Sequence, residues 1–269
     1  MFHRSIVSRR FLTRLSHHSS HNDPFHGHPR AHPRCAEILG FTQEVRESLV
    51  SAFHVGRSLD LAKVGALFQG PSTTTGSDFV KVVTNENEKK AFDVYRFGSV
   101  VFYNTPREEQ RETTAKLLAL EVDAASAPYQ MEGYDNYDTL LEVYVDKSKV
   151  EQYGLNNLGL ESWSAAGALL ARTCALQFYD AALDRVIDGI FTINEDELKG
   201  HVSYITNSVN SINVFEDPKF TVPSSNAIYT SMKQDLKPDA LYSEFHFKQA
   251  VLRNQYKITG APELQGTVA

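Results

Sequence analysis

The stretch GALFQGPS, residues 65–72, has the glycine spacing of a phosphate-binding loop. Such a loop needs a lysine directly after the second glycine to reach the phosphates, and backbone N–H groups to cradle them. Here Pro71 takes the lysine's place and removes a donor. We read Gly65, Gly70 and Pro71 as the end of a helix and expect no specific ATP or GTP binding. Neither G-x-S-x-G, which would mark a nucleophile elbow, nor H-E-x-x-H, which would mark a zinc hydrolase, occurs in the chain. The acids Glu132, Asp135, Asp138 and Glu142 could be taken for a metal cluster, but Gly133, Tyr134 and Tyr137 among them fit a solvated turn better. Seven of the ten histidines lie before residue 35, among prolines, which leaves His54, His201 and His246 as candidate bases. Cys35 and Cys174 have no C-x-x-C partner and read as idle thiols. The sequence therefore nominates no catalytic, cofactor-binding or metal-ligating residue.

Charge is the most informative bulk property. The first 34 residues carry six arginines and one acid, with many serines, in the manner of a mitochondrial transit peptide. Val7, Phe11, Leu12 and Leu15 gather on one side of a helical wheel, and Arg9, Arg10 and Arg14 on the other. Cleavage is expected between about residues 15 and 35. The leader holds a net +5 of a chain whose total is −6, so the remainder stands near −11. A surface of that sign repels phosphate backbones, and no direct nucleic-acid binding is expected. No apolar run approaches the 18 to 20 or so residues that span a bilayer as a helix.

The elements that must position any site come next. "EVRESLVSAFHVG" fits a strand or a short helix, and "SLDLAKVGALFQG" a short helix with Ser58 as N-cap and Gly70 as its stop. "GPSTTTGS" reads as a polar loop, "DFVKVVT" as a strand and "NENEKK" as a charged turn. "AFDVYRFGSVVFYN", residues 91–104, reads as a core hairpin whose turn, Arg96, Phe97 and Gly98, uses glycine for a positive φ. Thr105 as N-cap and Pro106 at the first helical position open a helix over "TPREEQRETTAKLLAL", and "LLEVYV" follows as a strand. Residues 163–190 form a helix apolar nearly all round, with a narrow polar stripe at Thr173, Gln177, Asp180, Asp184 and Asp188. Such a helix is either the central core helix or a self-association surface; core burial is preferred, and because the girth exceeds what one small sheet easily covers, self-association through residues 163–190 is expected as well. "EDELKGHVSYITNSVNSIN" and "IYTSMKQDLKPDALYSEFHFKQAVLRNQY" read as helical, separated by a proline-punctuated loop. The expected fold is α+β: a small mixed or antiparallel sheet with packed helices, followed by a mainly helical C-terminal half. The expected organisation is a leader over 1–34, an α+β domain over 35–150, and a helical region over 151–269 packing on it.

The order of these elements resembles the family named required for meiotic nuclear division 1, over about residues 48–220. The hairpin carries most of the likeness: Tyr95, Arg96, Gly98, Val100, Val101, Phe102 and Tyr103 match its aromatic-Arg-x-Gly-x-Val-Val-Phe-aromatic pattern. "SINVFEDPKF" is similar to a later segment of the family. Members usually continue into a helical tail with a hydrophobic segment, whereas this chain stops at "ITGAPELQGTVA". The resemblance implies a mitochondrial protein on the matrix side of the inner membrane, here peripheral, that supports translation of mitochondrially encoded proteins. It further implies a homo-oligomer holding the ribosome or its proteins near the membrane, with no enzymatic activity and no cofactor. The alternative is a matrix enzyme or small-ligand-binding protein with its site between the two halves.

Overall fold

The computed structural model describes residues 48–70, 72–120, 142–146, 160–213 and 223–256. Six strands form one antiparallel sheet: β1 (Ser48–His54), β2 (Ser72–Thr75), β3 (Phe79–Asn85), β4 (Lys90–Tyr95), β5 (Ser99–Tyr103) and β6 (Glu142–Asp146). They lie in the order β2-β3-β4-β5-β1-β6. The helices are α1 (Leu61–Leu67), α2 (Arg107–Leu118), α3 (Leu160–Asp188), α4 (Glu195–Asn213), α5 (Pro223–Leu236) and α6 (Pro238–Gln255). The architecture is α+β, with the helical half at the C-terminal end. The leader, Cys35, Glu132, Asp135 and Asp138 fall outside the described residues, as does the side chain of Glu142 at the start of β6.

Both faces of the sheet are covered, which explains why its central strands are largely apolar rather than alternating. On one face Phe53, Val80, Val82, Phe92, Val94, Val100 and Phe102 pack with Leu61, Val64 and Leu117 of α1 and α2. On the other, Val50, Ala52, Val83, Ala91, Tyr95, Val101 and Tyr103 meet α3. Trp163 opens that contact, edge-on to Tyr103 with ring centroids 6.0 Å apart. Helices α4, α5 and α6 pack against α3 and complete the same core through Val202, Ile205, Met232, Phe245 and Leu252.

The long apolar helix is thus the core helix. The sheet and three helices take up the girth that the sequence left open to self-association. Its polar stripe is largely used inside the chain as well. Thr173 is buried and its hydroxyl donates to the Leu169 carbonyl at 2.8 Å. Asp180 and Asp184 receive Lys248 of α6 at 2.7 and 2.8 Å.

Four local expectations are corrected. Helix α1 is capped by Asp60, whose Oδ1 accepts from the N–H groups of Ala62 and Lys63 at 3.1 and 3.3 Å, and not by Ser58. It ends at Leu67, before Gly70. That glycine is needed for another reason: a Cβ there would lie 2.4 Å from the Val83 carbonyl oxygen. Thr105 is no N-cap either, because its hydroxyl turns inward to the Tyr103 carbonyl at 3.0 Å, and Pro106 takes the cap position. "STTT" is the edge strand β2, not a loop. Its solvent-facing hydroxyl residues hide the strand from any apolar pattern, although β-branched threonine suits extended backbone. Finally, α5 and α6 are separate helices. Lys237 leaves the right-handed helical region, at φ 48°, and Pro238 then opens the next helix.

Candidate functional site

The charged residues of the sheet interior lie between β3, β4 and α3. Lys81 and Asp93 are cross-strand partners in the β3–β4 ladder. Alternation directs Asp93 to the same face as Ala91 and Tyr95, where α3 lies. The Tyr103 hydroxyl donates to Asp93 Oδ2 at 2.7 Å. The Lys81 ammonium donates to Ser164 Oγ, on the second turn of α3, at 2.6 Å. Asp93 is fully buried; its Oδ1 takes no direct hydrogen bond among the described residues, while Tyr95 and Ser164 flank the carboxylate. Gly167 makes the close approach possible, because a Cβ at that position would stand 1.8 Å from the Tyr103 hydroxyl.

Burial pushes the Asp93 carboxyl above the usual carboxylate range, against the pull of the Lys81 charge and the Tyr103 hydrogen bond. Burial, with the Asp93 charge second, also drives the Tyr103 phenol well above its ordinary value, which keeps it a hydroxyl donor. A lysine beside a serine is the arrangement of an amine-activated nucleophile, but that chemistry needs a neutral amine to take the serine proton. Here the Lys81 amine donates to the serine oxygen, the reverse of the proton transfer that such a nucleophile needs. What the group does in this geometry is tie α3 to the sheet. Replacing Tyr103 with phenylalanine is expected to destabilise the fold by about 1–3 kcal/mol, the cost of stripping a buried acceptor of its donor. Urea titration measures this, and a loss below about 0.5 kcal/mol would show the hydroxyl to be dispensable.

A second buried polar chain crosses the same face. His54 and Ser99 are register partners on β1 and β5. His54 Nδ1 lies 3.1 Å from Ser99 Oγ, and the Ser99 hydroxyl donates to the Ala171 carbonyl of α3 at 3.2 Å. Since the serine spends its one proton on that carbonyl, His54 Nδ1 must carry the imidazole proton. Its Nε2 then has no hydrogen-bond partner among the described residues and lies among the rings of Phe178 and Tyr179, at 4.8 and 5.1 Å. Burial lowers the His54 pKa from 6.5 to about 3. A base so weak, in the tautomer that donates to serine, does not activate it.

The other histidines stand apart in role. His201 is buried on α4 with Nε2 3.6 Å from Glu197 Oε1 one turn earlier, and His246 is exposed on α6. Cys174 is buried, its thiol 3.6 Å from the Ala52 carbonyl oxygen. Gly65 lies inside α1 rather than in a loop. Among the described residues no group of three or more His, Cys, Asp or Glu side chains could hold a metal ion.

The sequence reading did not single out Lys81, Asp93 or Ser164. The available signal was one charged residue in the middle of each of two adjacent apolar strands, "FVKVVT" and "AFDVY". Opposite charges at matching positions of neighbouring strands mark a cross-strand pair. The fold and site together define a class: a six-stranded antiparallel α+β protein with a polar seam sealed under a central helix. Comparison of the chain with protein-family models, curated proteins and solved structures gives no match.

Proposed function

We propose that the protein is a non-catalytic mitochondrial scaffold that supports translation of mitochondrially encoded proteins. It acts as an oligomer near ribosomes on the matrix side of the inner membrane, to which it attaches peripherally. The observation that carries this reading is how the hairpin residues behind the family resemblance are used. Gly98 makes the turn; the Arg96 guanidinium closes it onto the Ser77 carbonyl and, at 3.9 Å, the Asp78 carboxylate. Val100 and Phe102 fill one core, and Val101 and Tyr103 the other. Every one of them serves architecture, which supports a non-catalytic role. The arginine-rich leader supports the location, and the negative charge of the remainder favours contact through basic proteins over contact through RNA. Among the described residues no helix is long and apolar enough to cross a membrane.

Pulse-labelling of organelle translation after depletion tests the proposal. Synthesis of all mitochondrially encoded polypeptides is expected to fall together, because a ribosome-positioning scaffold has no reason to select one message. Unchanged labelling rejects it. A matrix enzyme or small-ligand binder is the second reading, and the buried, incompletely bonded Asp93 beside Lys81 and Ser164 favours it. The readout separates the two: loss of a scaffold lowers labelling of all the polypeptides together, whereas loss of an enzyme or ligand binder leaves labelling unchanged and gives a metabolite defect.

A further inference from the structure

The turn between α3 and α4 presents Phe191 to solvent with 91% of its surface exposed. The turn is not loose. Its N–H groups close back in sequence, Gly189 to Arg185 at 3.0 Å and Thr192 to Gly189 at 2.9 Å, and the Thr192 hydroxyl repeats the last contact at 2.7 Å. Asn194 then caps α4 by accepting from the Glu197 N–H at 2.9 Å. Ile190 on one side of Phe191 is buried in the core, and Ile193 on the other packs against it. The chain is pinned at both flanks, and the aromatic ring between them is thrust outward. Folding gains nothing from a phenylalanine there, while an aromatic side chain held in place loses little entropy when it docks.

The surroundings carry a net negative charge. From Asp184 to Lys199 there are five acids against two bases, and Asp188, Glu195, Asp196 and Glu197 are all exposed. Three successive acids exceed what the start of α4 needs, since the Asn194 side chain already caps it. An acidic collar opposes contact with anionic lipid. It fits a protein surface lined with lysine and arginine.

We propose that Phe191 is the anchor of a docking knob that enters an apolar socket on a basic protein, with Asp188, Glu195 and Asp196 pairing with the rim of that socket. That the partner is a ribosomal protein rests on the translation reading; the chemistry of the surface does not.

The test places a photoreactive benzophenone amino acid at position 191 of the full chain in cells, with position 247 as control. Phe247 is also exposed, at 69%, and sits on another element, α6. A covalent adduct to a basic protein from position 191 and not from 247 is expected. Its yield should fall about tenfold when Asp188→Asn, Glu195→Gln and Asp196→Asn are introduced together. If the basic protein is not ribosomal, the knob stands and the translation reading falls. The proposal is overturned by an adduct to lipid, to an acidic protein or to a second copy of this chain. A yield at 191 no greater than at 247, or one indifferent to the collar, overturns it as well.

Discussion

Alanine at position 98 is expected to cost about 3–5 kcal/mol, enough to unfold the protein at ordinary temperatures. Gly98 has φ 82°, a conformation that resists any Cβ. The steric problem is larger than the torsional one. A Cβ on Gly98 would stand 1.6 Å from the Gly56 carbonyl oxygen and 2.5 Å from its carbon, both backbone atoms that no rotamer change can move. Relieving the clash pushes the segment after β1 away from the hairpin. That breaks the 2.7 Å bond from the Val55 N–H to the Gly98 carbonyl and strains the 2.9 Å bond from the Leu59 N–H to the Arg96 carbonyl. Gly200 provides the control with the opposite sign. It lies inside α4 with nothing within 4 Å of its would-be Cβ, so Gly200→Ala is expected to stabilise by about 0.5–1 kcal/mol. Denaturant midpoints for the two variants, measured side by side, decide the matter. A Gly98→Ala protein within about 1 kcal/mol of wild type would mean that the turn relaxes in a way its packing forbids.

The hairpin was legible in the sequence because its two strands are runs of mainly apolar, strand-forming residues that meet at one glycine. Helix α3 was legible for a similar reason: an apolar girth that leaves only a narrow polar stripe has to be surrounded. Strand β2 was hidden because an edge strand exposed on both faces has no apolar period to display, and three threonines are as common in loops. The misplaced caps share a cause. Ser58 and Thr105 are of cap-forming type, but the position that caps is chosen by where tertiary contacts start the helix. For Thr105, the carbonyls of Tyr103 and Ala91 compete successfully for the hydroxyl. The polar seam was the least legible feature. Tyr103 and Asp93 are ten residues apart, yet Lys81 and Ser164 are separated by 83 positions. Only the sheet register and the placement of α3 bring that second pair together.

The same seam makes stability depend on pH, and His54 sets the largest expected effect. In the unfolded chain its imidazole takes a proton below about pH 6.5, whereas in the fold it stays neutral down to about pH 3. Between those values the unfolded state binds the extra proton, so stability falls as pH falls, by about 1.4 kcal/mol per pH unit once well below 6.5. Above pH 6.5 the contribution is fully present. Asp93 works in the other direction. Its raised pKa lets the folded state hold a proton that the unfolded state has released, so its contribution is greatest in acid and is lost as pH rises through the folded value. The net profile of the wild type therefore blends the two, and a difference measurement is needed. His54→Asn keeps a polar atom near the position of Nδ1 for Ser99 and removes the titration. From pH 6 to pH 4 the wild type is expected to lose about 2.5 kcal/mol more than this variant, since every other group cancels between them. Urea unfolding at pH 7, 6, 5 and 4 gives both curves. Parallel curves would mean that His54 takes up its proton at the same pH in the fold as in the unfolded chain.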